Sequence, residues 1–161
     1  MGIAESYRGP SGGIVPGLPV DLEEALERLR DLFRQRDVAL AYLFGSWAAD
    51  EAGPGSDLDI AVLLVDRSGE GLYSLYRELM LGVREALGTE RFDLLLLDKA
   101  PPALQFEVVS QGRLIYARDD EVLNAFEMRV IRGFQDTAHL REVQNAYLKE
   151  RAKRWYSSGR A

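Results

Sequence analysis

The chain contains no cysteine among its 161 residues. That absence excludes a disulfide framework, a thiol nucleophile and a zinc site built on thiolates. The chain also lacks an apolar run long enough to cross a bilayer, and no apolar segment follows a basic start at the N-terminus, as it would in a signal peptide. These absences predict a cytoplasmic protein with no membrane partner.

Positive charge is scarce as well, because 20 Lys and Arg residues face 26 Asp and Glu residues and give a net charge of −6. Phosphate backbones repel a surface of this sign, so the composition argues against nucleic acid as a partner. Apolar residues make up 47% of the chain. At this length they are sufficient for one globular domain with its own core.

The N-terminal segment differs in composition from the rest of the chain. Residues 1–19 contain five glycines and three prolines among few large apolar groups, which predicts a flexible arm. Asp21, followed three places later by Glu24, is typical of the start of a helix. We therefore expect the folded domain to span residues 20–161.

Helix-like and strand-like segments alternate along this domain. Apolar residues recur at helical spacing after residue 21, and short continuous apolar runs bounded by turn residues are typical of buried strands. The predicted elements are a helix at 22–36, strands at 38–44 and 57–65, a helix at 72–87, a strand at 92–97, a short helix at 101–109, an edge strand at 113–117 and a helix at 119–155 with a possible break at Gly133. This order predicts an α/β (α+β) domain with a small mixed sheet backed by helices.

The last predicted helix carries an apolar stripe. Its members are Val122, Phe126, Ile131, Phe134, Leu140, Val143, Tyr147 and Leu148. Two interpretations remain open, since such a stripe packs either on the domain's own sheet or on a partner protein.

Three aspartates form the most informative pattern. Asp57 and Asp59 lie two apart at the start of an apolar strand, so their side chains share a face and place like charges close together. Asp93 is the one charged residue in the apolar run 92–97. If these two strands are neighbours, the three carboxylates converge into a site that suits Mg²⁺ or Mn²⁺. The alternative is that Asp57 caps a turn and Asp59 is merely solvated.

A Gly45-Ser46 pair leaves the first predicted strand and begins a helical turn. Such a turn presents backbone N–H groups and a hydroxyl, and the glycine allows a phosphate to approach the backbone closely. Alone, the pair also fits an ordinary strand-to-helix turn. Ten residues separate it from Asp57, and the combination with the aspartates is more specific than either part.

The segment GSWAADEAGPGSDLDIAV resembles the GS-x10-DxD signature of the minimal nucleotidyltransferases in the DNA polymerase β superfamily. The resemblance covers residues 40–117. It implies a mixed sheet that bears three catalytic acids, two Mg²⁺ ions, and transfer of a nucleoside monophosphate from a nucleoside triphosphate to a hydroxyl.

The resemblance also implies a role for each matched residue. Gly45 and Ser46 would bind the β- and γ-phosphates. Asp57 and Asp59 would bind both metal ions. Asp93 would complete the metal site on the acceptor side and help to activate the hydroxyl.

Size and layout are similar to those of the antitoxins of HEPN/MNT toxin–antitoxin modules. This narrower resemblance implies ATP as substrate, a cognate HEPN toxin as partner, and AMP transfer to a tyrosine hydroxyl of that toxin. One departure is clear, because Ala49-Asp50 replaces the Arg-Gly that usually follows in the family. Two alternatives therefore stay open: a catalytically weak protein that neutralises its partner by binding, and a small-molecule nucleotidyltransferase of the aminoglycoside-modifying type.

Overall fold

The computed structural model describes residues 21–49, 51–52, 56–65 and 71–158. Its helices and strands are α1 (Leu22–Arg34), β1 (Val38–Phe44), β2 (Leu58–Leu64), α2 (Leu72–Leu87), β3 (Phe92–Leu96), α3 (Pro102–Gln111), β4 (Arg113–Ala117), α4 (Asp120–Asp136) and α5 (Ala138–Ser158). The predicted flexible arm, residues 1–19, lies outside the described residues.

Local signals in the sequence set several of these boundaries. The Asp21 side chain accepts a hydrogen bond from the Glu24 N–H at 2.8 Å, which satisfies one of the unpaired donors at the start of α1. Gly88 ends α2 in the left-handed conformation with φ of 66°, as glycine commonly does. Pro102 opens α3, where its missing N–H costs no hydrogen bond.

The four strands form one mixed sheet in the order β3-β2-β1-β4. β1 is antiparallel to both β2 and β4, whereas β2 is parallel to β3. The parallel pair requires a crossover connection, which α2 provides. The predicted mixed sheet and the edge position of β4 are both confirmed.

Helices cover both faces of the sheet. On one face, α1 and α2 pack against residues such as Leu43, Ile60 and Leu94. On the other face, α3 and α4 pack against Leu40 and Ala61, among others. Because side chains alternate along a strand, the residues between these positions, including the aspartates of β2 and β3, belong to the α3/α4 face.

The C-terminal segment is divided into two helices at Thr137, and not at Gly133 as expected. Gly133 lies within α4, whereas the Thr137 hydroxyl donates to the carbonyl groups of Gly133 and Phe134 at 3.2 and 3.0 Å. Hydroxyl bonds of this type compete with the helical backbone pattern and often bend helices. A threonine four residues after the glycine therefore determines the break.

The apolar stripe of the C-terminal segment behaves differently on the two sides of this break. In α4, Phe126 is buried against the sheet and Val122 is partly buried beside it. In α5, Leu140 and Tyr147 are 66% and 64% exposed. Only the half of the stripe that lies in α4 therefore packs on the domain's own sheet.

Within the part of the chain that the structure describes, no helix has the length and apolar character needed to span a membrane.

Candidate active site

The parallel pairing of β2 with β3 brings the predicted acids together. Asp59 and Asp93 are direct partners across the two strands, and Asp57 lies one residue before β2. Partial burial raises the pKa of Asp59, and the carboxylates of Asp93 and then Asp57 raise it further. The sheet register therefore brings Asp93 beside Asp59, and Asp57 lies two residues before Asp59 in the chain. That the three carboxylates bind a metal ion together stays a prediction.

Gly45 lies against the central acid of this group. Its φ is +69°, and a β-carbon on Gly45 would overlap Oδ2 of Asp59. The close approach follows from the sheet register, because Phe44, the last residue of β1, pairs with Asp59. Only glycine combines this left-handed backbone with so little space. The predicted phosphate-binding turn and the predicted metal site are therefore adjacent.

Trp47 ties the turn to the segment that carries Asp57. Residues Gly45–Trp47 form a single 3₁₀ turn, and the Trp47 indole N–H donates to the Ser56 carbonyl at 3.3 Å. The ring also packs against the core on the α1/α2 face of the sheet. Trp47 thus holds together the two ends of the loop between β1 and β2.

A cavity of about 250 Å³ opens beside the turn. It is lined by Phe44, Gly45, Ser46, Ala49, Glu51, Glu107, Gln111 and Gly112. Sequence reasoning gave no role to Glu107 and Gln111, because α3 carries no motif of its own. Their place beside the turn follows from the packing of α3 on β1, which nothing in the local sequence of α3 reveals. A phosphate group at Gly45 and Ser46 would lie at the edge of this cavity.

Arg91 is a second residue that sequence reasoning missed. Its Nε donates to Oδ1 of Asp57 at 3.1 Å. The only signal in the sequence is the spacing, since Arg91 precedes Asp93 by two residues as Asp57 precedes Asp59. One of the three acids is therefore already paired with a cation of the protein.

The chemistry of the three acids fits a divalent cation. Carboxylate oxygens are the ligands that Mg²⁺ prefers. Burial and then the neighbouring carboxylates raise the pKa of Asp59, and a cation would compensate the second of these effects. Among the residues that the structure describes, no group of three acidic or imidazole side chains is arranged to hold a metal ion as it stands. Binding by all three aspartates would therefore involve a change in their side-chain positions.

Comparison with known proteins gives the family. Residues 27–121, more than half of the chain, match the family model described as polymerase beta nucleotidyltransferase. The chain belongs to the polymerase β nucleotidyltransferase family. The match includes the turn at Gly45, all three aspartates and all four strands. No curated protein sequence matches the chain.

Several solved structures that resemble this nucleotidyltransferase are toxin–antitoxin complexes. A chain of a toxin–antitoxin complex with AMP-PNP is 28% identical, with a TM-score of 0.60, over 78% of this chain and 96% of the other. A chain of the MntA–HepT complex is 26% identical, with a TM-score of 0.57, over 80% and 97% of the two chains. A chain from the complex of the tri-AMPylated Shewanella oneidensis HEPN toxin with MNT antitoxin is 26% identical, with a TM-score of 0.58. The match covers 80% of this chain and 96% of the other. The predicted fold and the predicted resemblance to these antitoxins are confirmed.

Proposed function

We propose that this nucleotidyltransferase is an antitoxin that transfers AMP from ATP to a tyrosine hydroxyl of a cognate HEPN toxin. The observation that carries the proposal is the pairing of Asp59 with Asp93 on neighbouring parallel strands, next to the turn at Gly45. The choice of ATP and of a HEPN protein is supported by similarity to complexes with AMP-PNP and with an AMPylated HEPN toxin. With such a partner the protein would act in the cytoplasm.

Each residue of the site has a part in this reaction. Gly45 and Ser46 would bind the β- and γ-phosphates and orient the triphosphate. Asp57 and Asp59 would hold two Mg²⁺ ions. Asp93, which is exposed at the end of the sheet, would face the incoming tyrosine and help to remove its proton.

The transfer forms one bond and breaks one bond. The tyrosine oxygen attacks the α-phosphorus of ATP, the bond from that phosphorus to the bridging oxygen breaks, and pyrophosphate leaves. When bound, Mg²⁺ would lower the pKa of the attacking hydroxyl and stabilise the leaving pyrophosphate. The protein contributes the alignment of the acceptor with the α-phosphorus, which is a large part of catalysis in such transfers.

Label transfer tests the proposal directly. The full chain is incubated with a candidate HEPN-type toxin, Mg²⁺ and ATP labelled at the α-phosphate. We expect label on a tyrosine of the toxin with the wild type, and none with the Asp59→Asn variant. An Asp98→Asn variant, changed at an exposed position after β3, is the matched control and should label normally. Equal labelling by the wild type and Asp59→Asn would contradict the proposal.

A second candidate is neutralisation by binding without transfer. The reason for this candidate is Ala49, which lines the cavity beside Gly45 and Ser46. The family usually has arginine at this position. Asp50, the second residue that departs from the family pattern, lies outside the described residues. This candidate predicts that Asp59→Asn still neutralises the toxin in cells. Labelling of aminoglycosides in place of protein would instead support the small-molecule alternative.

A further inference from the structure

The two strands that carry the acids have a matching pattern of charged residues. Asp57 and Asp59 lie at the start of β2, and Arg91 and Asp93 occupy the corresponding positions at the start of β3. The N–H of Leu58 donates to the Arg91 carbonyl at 3.2 Å. The sheet register therefore places Arg91 beside Asp57, just as it places Asp93 beside Asp59.

Backbone and side-chain contacts both fix the position of Arg91. Its N–H donates to Oγ1 of Thr89 at 3.2 Å, and its Nε lies 3.1 Å from Oδ1 of Asp57. The side chains of Arg91 and Asp57 are 40% and 46% exposed, so water and salt weaken the attraction between them. The ion pair is therefore one that a stronger cation can displace.

We propose that Arg91 is a positioning residue, which holds the Asp57 carboxylate while no divalent cation is bound and releases it when one binds. The inference rests on the proposed function in one respect, namely that the three aspartates bind a divalent cation.

Replacement of Arg91 by a divalent cation at the Asp57 carboxylate has a consequence for the affinity of that cation. The cation must compete with a guanidinium that offsets one of the three negative charges. Removal of that guanidinium should therefore strengthen binding of the cation. A residue that only kept Asp57 in the correct orientation for the metal would have the opposite effect, because its loss would weaken binding.

The affinity of the full chain for Mn²⁺ distinguishes these outcomes. It is measured from the electron paramagnetic resonance signal of the free ion. We expect Arg91→Gln to bind Mn²⁺ roughly threefold more tightly than the wild type, because an exposed ion pair contributes only a modest free energy. Arg91→Lys, which keeps the charge, should stay near the wild type. Arg36→Gln is the matched control, since it removes the same charge from an exposed pair with Glu78, just before the end of β1 that is opposite to Phe44 and Asp59.

A second measurement, in a variant that lacks the Asp57 carboxylate, separates the release of Asp57 from a general effect of charge. In the Asp57→Asn variant no carboxylate remains for Arg91 to hold, so adding Arg91→Gln should no longer tighten Mn²⁺ binding. An equal gain in that background overturns the inference, as does unchanged or weaker binding by Arg91→Gln alone, and both results leave the proposed function standing. Failure of the wild type and Arg91→Gln alike to bind Mn²⁺ overturns the inference and the proposed metal site together.

Discussion

The backbone of Gly45 lies so close to Asp59 that a β-carbon on Gly45 would overlap the carboxylate oxygen Oδ2. The contact joins the first residue of the turn after β1 to the central acid of the site. It arises because β1 and β2 are paired up to Phe44 and Asp59, so the turn begins directly beside the acid. The glycine of the motif is thus required by the sheet as well as by any phosphate that approaches it.

Replacement of this glycine should damage both stability and activity. Gly45→Ala introduces a β-carbon at a positive φ and against Asp59, and we expect it to lower the free energy of unfolding by about 2 kcal/mol. Label transfer should fall at least tenfold, on the order of the effect expected when a reacting group is displaced by 1 Å. Urea unfolding and the labelling assay measure the two effects.

Gly133→Ala is the matched control for that substitution. A β-carbon at Gly133 meets no atom within 4 Å, and the residue lies inside α4, where alanine is favoured by roughly 0.5–1 kcal/mol. This variant should be slightly more stable than the wild type. Equal stability changes in the two variants would contradict the role given to the Gly45 contact.

The repulsion among the acids predicts a substitution that stabilises the protein while it abolishes activity. The pKa of Asp59 is raised by burial and by two neighbouring carboxylates, so the ionised form is disfavoured in the folded state. Asp59→Asn removes that charge, and we expect the free energy of unfolding near neutral pH to rise by about 0.5 kcal/mol. Functional residues commonly carry such a cost.

The pH dependence of this gain follows from the direction of the shift. Below the ordinary aspartate value of 3.8, Asp59 is protonated in both the folded and the unfolded states, so the substitution should have little effect there. As pH rises through the raised pKa of the folded state, the wild type loses stability relative to Asp59→Asn. Urea unfolding at several pH values measures the difference, and a gain that is independent of pH would be inconsistent with charge repulsion.

Ala49 offers a gain-of-function test at the cavity beside the turn. Ala49→Arg places a guanidinium at the edge of a cavity that Gly45 and Ser46 also line. We expect AMP-PNP to bind roughly threefold to tenfold more tightly, because a guanidinium forms charge-assisted hydrogen bonds to phosphate. Calorimetric titration measures the affinity, and Ala49→Gln, with a long uncharged side chain, should leave it unchanged. Tighter binding by both variants would exclude charge as the cause.

The two C-terminal helices should differ sharply in their sensitivity to truncation of side chains. Phe126 in α4 is 3% exposed and Tyr147 in α5 is 64% exposed. Phe126→Ala should lower the free energy of unfolding by about 3 kcal/mol through the cavity that it leaves, whereas Tyr147→Ala should change it by less than about 0.5 kcal/mol. Thermal unfolding distinguishes them, and comparable losses would show that α5 packs on the domain after all.

Much of the fold was predictable, because local signals determined it. Val38–Phe44, Leu72–Leu87 and Arg113–Ala117 agree with the predicted ranges residue for residue, since each is an apolar pattern bounded by turn residues. β2 is one residue shorter than predicted at each end, so that Asp57 precedes it, and β3 ends one residue early. α3 begins one residue later and ends two residues later than predicted. These differences lie at ends of elements, where assignments commonly vary.

The site was predictable only in part, because it depends on which strands are neighbours. The spacing of Asp57 and Asp59 predicts that they share a face, but the position of Asp93 beside Asp59 required the parallel pairing of β2 with β3. Arg91 was missed because its spacing from Asp93 has meaning only once that pairing is known. The break at Thr137 was placed at Gly133 because glycine is the stronger general signal, whereas hydroxyl bonds to the helix backbone decided the outcome.

All five residues assigned to the chemistry lie between positions 45 and 93, in one continuous stretch that ends before α3. The helix with the most exposed apolar side chains, α5, begins 45 positions later. The residues assigned to the chemistry and the exposed helix are therefore separate along the chain. A hybrid with the first 136 residues of this chain, which include the buried face of α4, and the α5 helix of a related protein would keep every one of those residues and change only the exposed helix.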